Sequence, residues 1–480
     1  MSGPVVLAPL LFLAGGAVLV LLLGTRRGGG SNSVQAAVSV AAAAAAGFAA
    51  ARLWGRPAEA FGGQLRWDEP ALFLAFLYLL AAVLAILLGM RFIVLRRIPR
   101  AEYYGLLLLA VCGLILMTAT RHLLVVFLGL EVFSISAYAL TGLNRRDDGS
   151  AEAAAKYFLT GSFASAFFVF GLALLFGASG TLDLDAAAAG LAGTGAVPAL
   201  AAAGLILVLC GLGYKIAVVP FHMYFPDVTE GAPTPAAAFF AAAPKAAGFA
   251  VLLRILFAFA RAGIGAGPIA SFLSAAAVAT MIIGNFAALR QRNLKRLLAY
   301  SGVAHAGYML IAVVSGDPAG LLFYLANYLF MGVGAFAAVI ALAGPKRETL
   351  ELDDYAGLGR RSPWAAGIFT VILISLAGFP PTGGFLAKFF VFSAAVRAGR
   401  LGLALVGIAA SLVSVAVYLR IVRVMFMKEP EREIEVDTEN YPVYLALFFC
   451  LYAVLQLGLF PGGVMTFLRG AVAGFMEWMI

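Results

Sequence analysis

Apolar residues run along this chain in blocks of about twenty, separated by short polar connectors, from residue 4 almost to the last residue. Blocks of that length match the roughly 20 helical residues that cross a hydrocarbon core about 30 Å thick. They are apolar all round and do not alternate, which predicts membrane-spanning helices and excludes the short alternating strands of a barrel. Fourteen spans follow, at 4–24, 34–53, 71–95, 104–119, 122–143, 157–177, 197–220, 233–257, 266–289, 297–315, 319–343, 364–396, 401–427 and 441–468. The second, "AAVSVAAAAAAGFAA", is Ala-rich and the weakest of the set. Residues 144–156, 344–362 and 428–440 are the largest polar stretches and read as solvated connectors, with no sizeable extramembrane domain.

Composition agrees with a polytopic integral membrane protein: 63% of residues are hydrophobic, 12% are charged, and mean hydropathy is +0.99. The first run, "VVLAPLLFLAGGAVLVLLLG", lacks a basic leader and an A-x-A-like site, so it reads as a retained span and not a signal peptide. Cys112, Cys210 and Cys450 sit in separate spans, with neither disulfide nor iron–sulfur spacing, and read as small buried apolar residues. The net charge of +9 is no argument for nucleic-acid binding, because in a membrane chain the distribution of basic residues carries the information.

That distribution is uneven. Connectors after odd-numbered spans hold Arg26, Arg27, Arg91, Arg96, Arg97, Arg100, Arg145, Arg146, Lys156, Arg290, Arg292, Lys295, Arg296, Lys346, Arg347, Arg360, Arg361, Arg420, Arg423, Lys428 and Arg432, whereas the even connectors hold about a third as many. The odd connectors are therefore expected in the cytoplasm and both termini on the periplasmic side.

Three lysines are left over, all inside apolar spans: Lys215, Lys245 and Lys388. Glu131, in "VVFLGLEVFSISAYAL", is the one carboxylate deep in a span. Each such charge costs about 2.5–3.5 kcal/mol to insert, so the four together approach the net stability of a whole domain, about 10 kcal/mol. Snorkelling toward the interface suits Arg254 and Arg397, near span ends, but not Lys245 or Glu131, each about ten residues from either end. Arginine keeps its proton in proteins, whereas a buried lysine can exist neutral, so a lysine near a carboxylate makes a switchable proton site. Glu131 is the natural partner and Lys215 the natural recipient.

Two spans are interrupted close to these lysines. Pro220 follows Lys215 in "GLGYKIAVVPFHMYFPD", and Pro380 and Pro381 precede Lys388 in "LAGFPPTGGFLAKFFVF". Proline removes a backbone donor and opens the helix, and irregular backbone survives at membrane depth only inside protein or beside water. Paired broken helices in mirrored order point to inverted repeats around a midplane ion path. His305, in "LKRLLAYSGVAHAGYML", is a further proton-capable group, read either as a relay or as a packed histidine. His222 is a candidate for an access path and His122 reads as interfacial; Tyr214, Ser301 and Tyr308 are candidate anchors for water. No dinucleotide or phosphate loop, catalytic triad or metal-ligand cluster is present in the sequence, so ion movement must be driven by a gradient or by partner subunits.

The stretches "GYKIAVVPFHMYFPDVTEGAPTPAAAFFAAAPKAAGFAVLLRIL" (213–256), "NLKRLLAYSGVAHAGYML" (293–310) and "LAGFPPTGGFLAKFFVF" closely resemble the antiporter-like, proton-translocating subunits of respiratory complex I. Residues 149–182 resemble the subunit N (subunit 2) branch, and the likeness spans roughly residues 90–430. The chain closes soon after the fourteenth span, without the long lateral helix of the distal member of that family, which favours branch N or M; 149–182 selects N.

The resemblance implies an all-α polytopic membrane protein of about fourteen helices, with two inverted five-helix repeats, each containing a broken helix. Its parts would be three leading helices at 1–103, a first repeat at 104–257, a second at 266–427 and a final helix at 428–480. It implies a Glu131–Lys215 charge pair, Lys245 as the central relay, His305 on the hydrated axis, and Lys388 as the lysine of the second channel. It further implies no cofactor or metal in this chain; NADH, FMN, iron–sulfur clusters and quinone would belong to partner subunits. Those partners would include another antiporter-like subunit and small transmembrane subunits, in a bacterial inner membrane. Three other readings remain from the residues: a multisubunit cation/proton antiporter, a ferredoxin-dependent or hydrogenase-type relative, and a membrane scaffold whose buried charges only specify packing.

Overall fold

A computed structural model of the chain describes residues 4–25, 30–56, 58–192, 199–261, 263, 266–342, 348, 350–430 and 439–476. Of the basic residues used for orientation, Arg26, Arg27, Lys346, Arg347 and Arg432 lie outside the described residues. Helix dominates, as it must where lipid offers no hydrogen bonds to the backbone.

The chain opens with α1 (Pro4–Gly24), α2 (Asn32–Ala51) and α3 (Glu69–Leu95). A small antiparallel hairpin joins the last two, pairing β1 (Ala58–Ala60) with β2 (Leu65–Trp67) so that Ala58 faces Trp67. Next come α4 (Arg100–Thr118), α5 (Leu123–Thr141), α6 (Asp148–Ser179) and the short α7 (Leu184–Ala192). The seventh predicted span, 197–220, becomes α8 (Ala199–Lys215) and the start of a non-helical passage, which leads beyond the span into the short α9 (Tyr224–Gly231). Then follow α10 (Thr234–Arg261), α11 (Ala266–Arg290), α12 (Leu294–Val314) and α13 (Pro318–Leu342). After the one-turn α14 (Leu358–Arg361), the twelfth predicted span divides into α15 (Pro363–Ala377) and α16 (Gly383–Arg397). The chain finishes with α17 (Leu401–Met427), α18 (Tyr441–Leu459) and α19 (Pro461–Met476).

Every predicted span has its counterpart, and among the described residues 12 helices are long and apolar enough to cross a membrane unbroken. The departures are local. The stretch 148–156, read as solvated connector, is helical: the Asp147 side chain caps α6 by accepting from Gly149 N, and the Ala-rich sequence after it favours helix. The predicted fourteenth span breaks at Phe460, where Pro461 starts α19.

α10, α12 and α13 are buried almost completely and form the axis, while α1, α2, α6, α11 and α17 show apolar faces to the surroundings. Small residues bring neighbours close. Gly113 and Gly129 between α4 and α5, and Gly284 and Gly307 between α11 and α12, sit where a Cβ would strike the facing backbone.

Candidate functional site

Lys215, Lys245 and Lys388 all have buried side chains, and each break supplies one end of the arrangement. α8 stops at Lys215 itself; beyond it Ala217 adopts φ 57°, and Pro220 offers no N–H with which to resume the ladder. The Lys215 side chain is buried, its Nζ donates to Ser134 Oγ of α5 at 3.0 Å, and it stands 4.4 Å from the centroid of the Phe133 ring. Glu131, one turn earlier on α5, is only half-buried, and its Oε1 accepts from Ser165 Oγ of α6 at 2.5 Å. Among the described residues, Glu131 and Lys215 are each held by a serine hydroxyl, of Ser165 and of Ser134, and no ion pair within 4 Å joins the two.

Lys245 lies mid-way along α10 and is 1% exposed. Its Nζ donates to the Gly302 carbonyl oxygen of α12 at 2.8 Å and sits 4.3 Å from the Phe225 ring and 5.3 Å from the Tyr328 ring. Aromatic faces attract a desolvated cation without neutralising it. One turn along α12, buried His305 shares hydrogen bonds with Tyr324 Oη through Nδ1 at 2.8 Å and with Tyr418 Oη through Nε2 at 3.3 Å. Tyr418 Oη in turn meets Ser301 Oγ at 2.5 Å.

Lys388, in the second turn of α16, is bound to the end of α15. Its Nζ donates to the carbonyl oxygens of Leu376 at 3.1 Å and Ala377 at 2.8 Å and to Ser411 Oγ of α17 at 2.9 Å, and lies 4.9 Å from the Tyr308 ring. Gly378, at φ 91°, lets the chain leave α15; a Cβ there would stand 2.9 Å from Lys388 Cδ. On its other side Lys388 borders a groove of about 630 Å³ between α16 and α17, lined by Phe389, Phe392, Ile408 and Leu412.

The remaining candidates are spread out. Tyr214 Oη meets Thr160 Oγ1 at 2.9 Å and stacks on Tyr224 with ring centroids 4.0 Å apart. Tyr308 Oη accepts from Asn285 Nδ2 at 3.0 Å. His222 is buried beside Pro220 without touching the lysines, and His122 stands just before α5 in a backbone bridge to Asp183.

Arg254 does not snorkel. Its side chain is 6% exposed and pairs at 2.7 Å with Asp68, which is 21% exposed and caps α3, while also donating to the Thr118 carbonyl oxygen at 3.0 Å. Arg397, by contrast, is exposed at the end of α16. Sequence reasoning also missed buried Lys295, which looked like a connector residue; its Nζ donates to the Ala232 carbonyl oxygen at 2.7 Å. Ser134, Ser165 and Ser411 carried no signal beyond lying in the same spans as the charges.

Buried, titratable side chains at two broken helices in a polytopic bundle define an antiporter-like membrane protein. Residues 120–414 match the family described as "NADH:quinone oxidoreductase/Mrp antiporter, TM". NADH-quinone oxidoreductase subunit N of Trichlorobacter lovleyi is 43% identical over 431 residues, covering 89% of this chain and 88% of that protein. Subunit N 2 of Roseiflexus castenholzii is 42% identical over 436 residues, covering 88% and 87%. A chain of respiratory complex I from Thermus thermophilus, solved with bound aureothin, superposes with a TM-score of 0.82 at 35% identity, covering 95% of this chain and 98% of that one. The chain belongs to the NADH-quinone oxidoreductase subunit N family.

Proposed function

We propose that this chain is a proton-translocating membrane-arm subunit of a bacterial NADH-quinone oxidoreductase, with proton movement driven by quinone reduction in partner subunits. Its most direct support is the series Lys215, Lys245, His305 and Lys388, in which hydroxyls, carbonyls and aromatic rings hold each amine. A neutral amine keeps two N–H donors and gains a lone pair, so Lys215 and Lys245 can hold their single acceptors when the proton leaves, whereas at Lys388 the Ser411 hydroxyl must turn to donate to the amine. His305 has a hydroxyl on each ring nitrogen and can take a proton at one and release it at the other. The backbone openings at Pro220 and at Pro380 and Pro381 make room for the two outer lysines.

Residues 104–257 and 266–427 are the two inverted repeats in this reading, preceded by the helices of 1–103 and followed by those of 428–480. Both termini face the periplasm across the inner membrane. The partners are another antiporter-like subunit and small transmembrane subunits, and NADH, FMN, iron–sulfur clusters and quinone reside on other chains of the complex.

The test is Lys245→Ala in the assembled complex, followed by NADH-driven quinone reduction and proton uptake into vesicles. Assembly should be retained and pumping lost; a stable complex with unchanged pumping overturns the proposal. Co-purification with flavin and iron–sulfur subunits separates it from a free-standing antiporter assembly.

A further inference from the structure

α9 is an eight-residue rod with non-helical backbone at both ends, too short to hold its place by helical stability. Its position depends on what grips it, and the start of α12 does so through the side chains of Asn293, Lys295 and Arg296. Asn293 Nδ2 donates to Glu230 Oε1 at 2.9 Å. Arg296 donates to Asp227 Oδ1 at 2.5 Å and to Glu230 Oε2 at 2.7 Å. Lys295 caps the far end of the rod through the Ala232 carbonyl oxygen at 2.7 Å. Asn293 is itself fixed, since its Oδ1 accepts from the backbone N–H groups of Lys295 and Arg296 at 3.0 and 3.2 Å. From α6, Lys156 reaches Asp227 Oδ2 at 3.1 Å.

The same two elements meet again at Lys245. α9 contributes the Phe225 ring, 4.3 Å from the amine, and α12 contributes the Gly302 carbonyl oxygen at 2.8 Å. The spacing between α9 and α12 therefore sets both contacts of the central lysine, and the ionic cluster sets that spacing.

Resting on the proton-translocation reading, we propose that Asp227, Glu230, Asn293 and Arg296 form a positioning clamp for Lys245. The clamp holds the Phe225 ring and the Gly302 carbonyl together at the amine, and loosening it displaces the aromatic face while α12 keeps the carbonyl. Because α9 precedes Lys245 in the chain and α12 follows it, the clamp ties the first broken helix to the helix that carries His305.

Arg296→Ala in the assembled complex should lower protons moved per quinone reduced by about threefold, the size of a modest coupling energy. In a Phe225→Leu background the same substitution should add no further loss, because the clamp acts through that ring. Glu230→Gln removes one charge without changing side-chain volume and should give the same pattern, smaller, if Arg296→Ala does not assemble. Full pumping in both clamp variants, or losses that add to that of Phe225→Leu, overturns the clamp. If Lys245→Ala abolishes pumping while the clamp variants do not, only the clamp fails; if Lys245→Ala pumps normally, the translocation reading fails first.

Discussion

Lys388 reaches back across eleven residues to place its Nζ 2.8 Å from the carbonyl oxygen of Ala377. In an unbroken α-helix that carbonyl would accept from the N–H four residues on, and the carbonyl of Leu376 would do likewise. Those positions are Pro381 and Pro380, which have no N–H to give. The two prolines thus leave free the two acceptors that the lysine uses, at the negative end of the α15 dipole. Helix break and buried amine are a single device.

Restoring the donors should undo it. The double substitution Pro380→Ala, Pro381→Ala supplies N–H groups that compete for both carbonyls and removes a charge-assisted interaction worth about 1.5–3 kcal/mol. Pumping should fall by about tenfold while the complex still assembles. Proton uptake by vesicles, set against quinone reduction, measures this; unchanged pumping would show that Lys388 does not depend on those carbonyls.

Gly302 makes a sharper case. A Cβ at that position would stand 2.7 Å from Lys245 Nζ and 2.5 Å from Tyr328 Oη. Gly302→Ala should therefore push the amine off its carbonyl at an overpacking cost of about 1–3 kcal/mol, with proton transfer hit harder than assembly. Gly367→Ala on α15 meets nothing within 4 Å and serves as the neutral comparison. Equal pumping in the two variants would remove Gly302 from the site.

The spans and their breaks were legible because lipid imposes length and apolarity on each crossing and because proline announces lost donors. The buried lysines were legible by their cost: a charge in an apolar run needs a reason. The residues that hold them were not. Ser134 and Ser411 resemble any serine in a span, and the contacts of Lys245 come from a carbonyl and two rings brought together only by packing. Lys295 and Arg254 misled in the same direction. Proximity to a span end suggested solvent for both, yet Lys295 is buried against the end of α9 and Arg254 against Asp68. Closeness to the interface in sequence does not tell whether protein or water covers it.

Ser134 tests how Lys215 is held. Ser134→Ala removes its hydrogen-bond acceptor and leaves the Phe133 ring in place. Pumping should drop several-fold, about what one hydrogen bond to a charged group is worth, and Ser134→Thr should retain most of it. If alanine and threonine variants both pump normally, Lys215 does not depend on that hydroxyl.

The Asp68–Arg254 pair is structural and gives a pH dependence of known sign. Burial raises the Asp68 carboxyl, but the Arg254 guanidinium and the Ala71 N–H outweigh it and hold the group below the ordinary carboxylate value of 3.8. A group depressed on folding contributes stability that is complete above its unfolded value and fades as pH falls through its folded one. Asp68→Asn keeps a helix-capping side chain while removing the carboxylate charge that faces Arg254, so it isolates the ionic part. At neutral pH the variant should lose about 3 kcal/mol, seen as a lower melting temperature of the detergent-solubilised complex. Below about pH 4 the gap to wild type should narrow, because the unfolded carboxyl then takes up a proton that the native one, held below 3.8, does not, and the wild-type advantage is lost as pH falls further through the native value. A gap that stays constant down to pH 3 would mean that the pair's charge is not what joins α3 to α10.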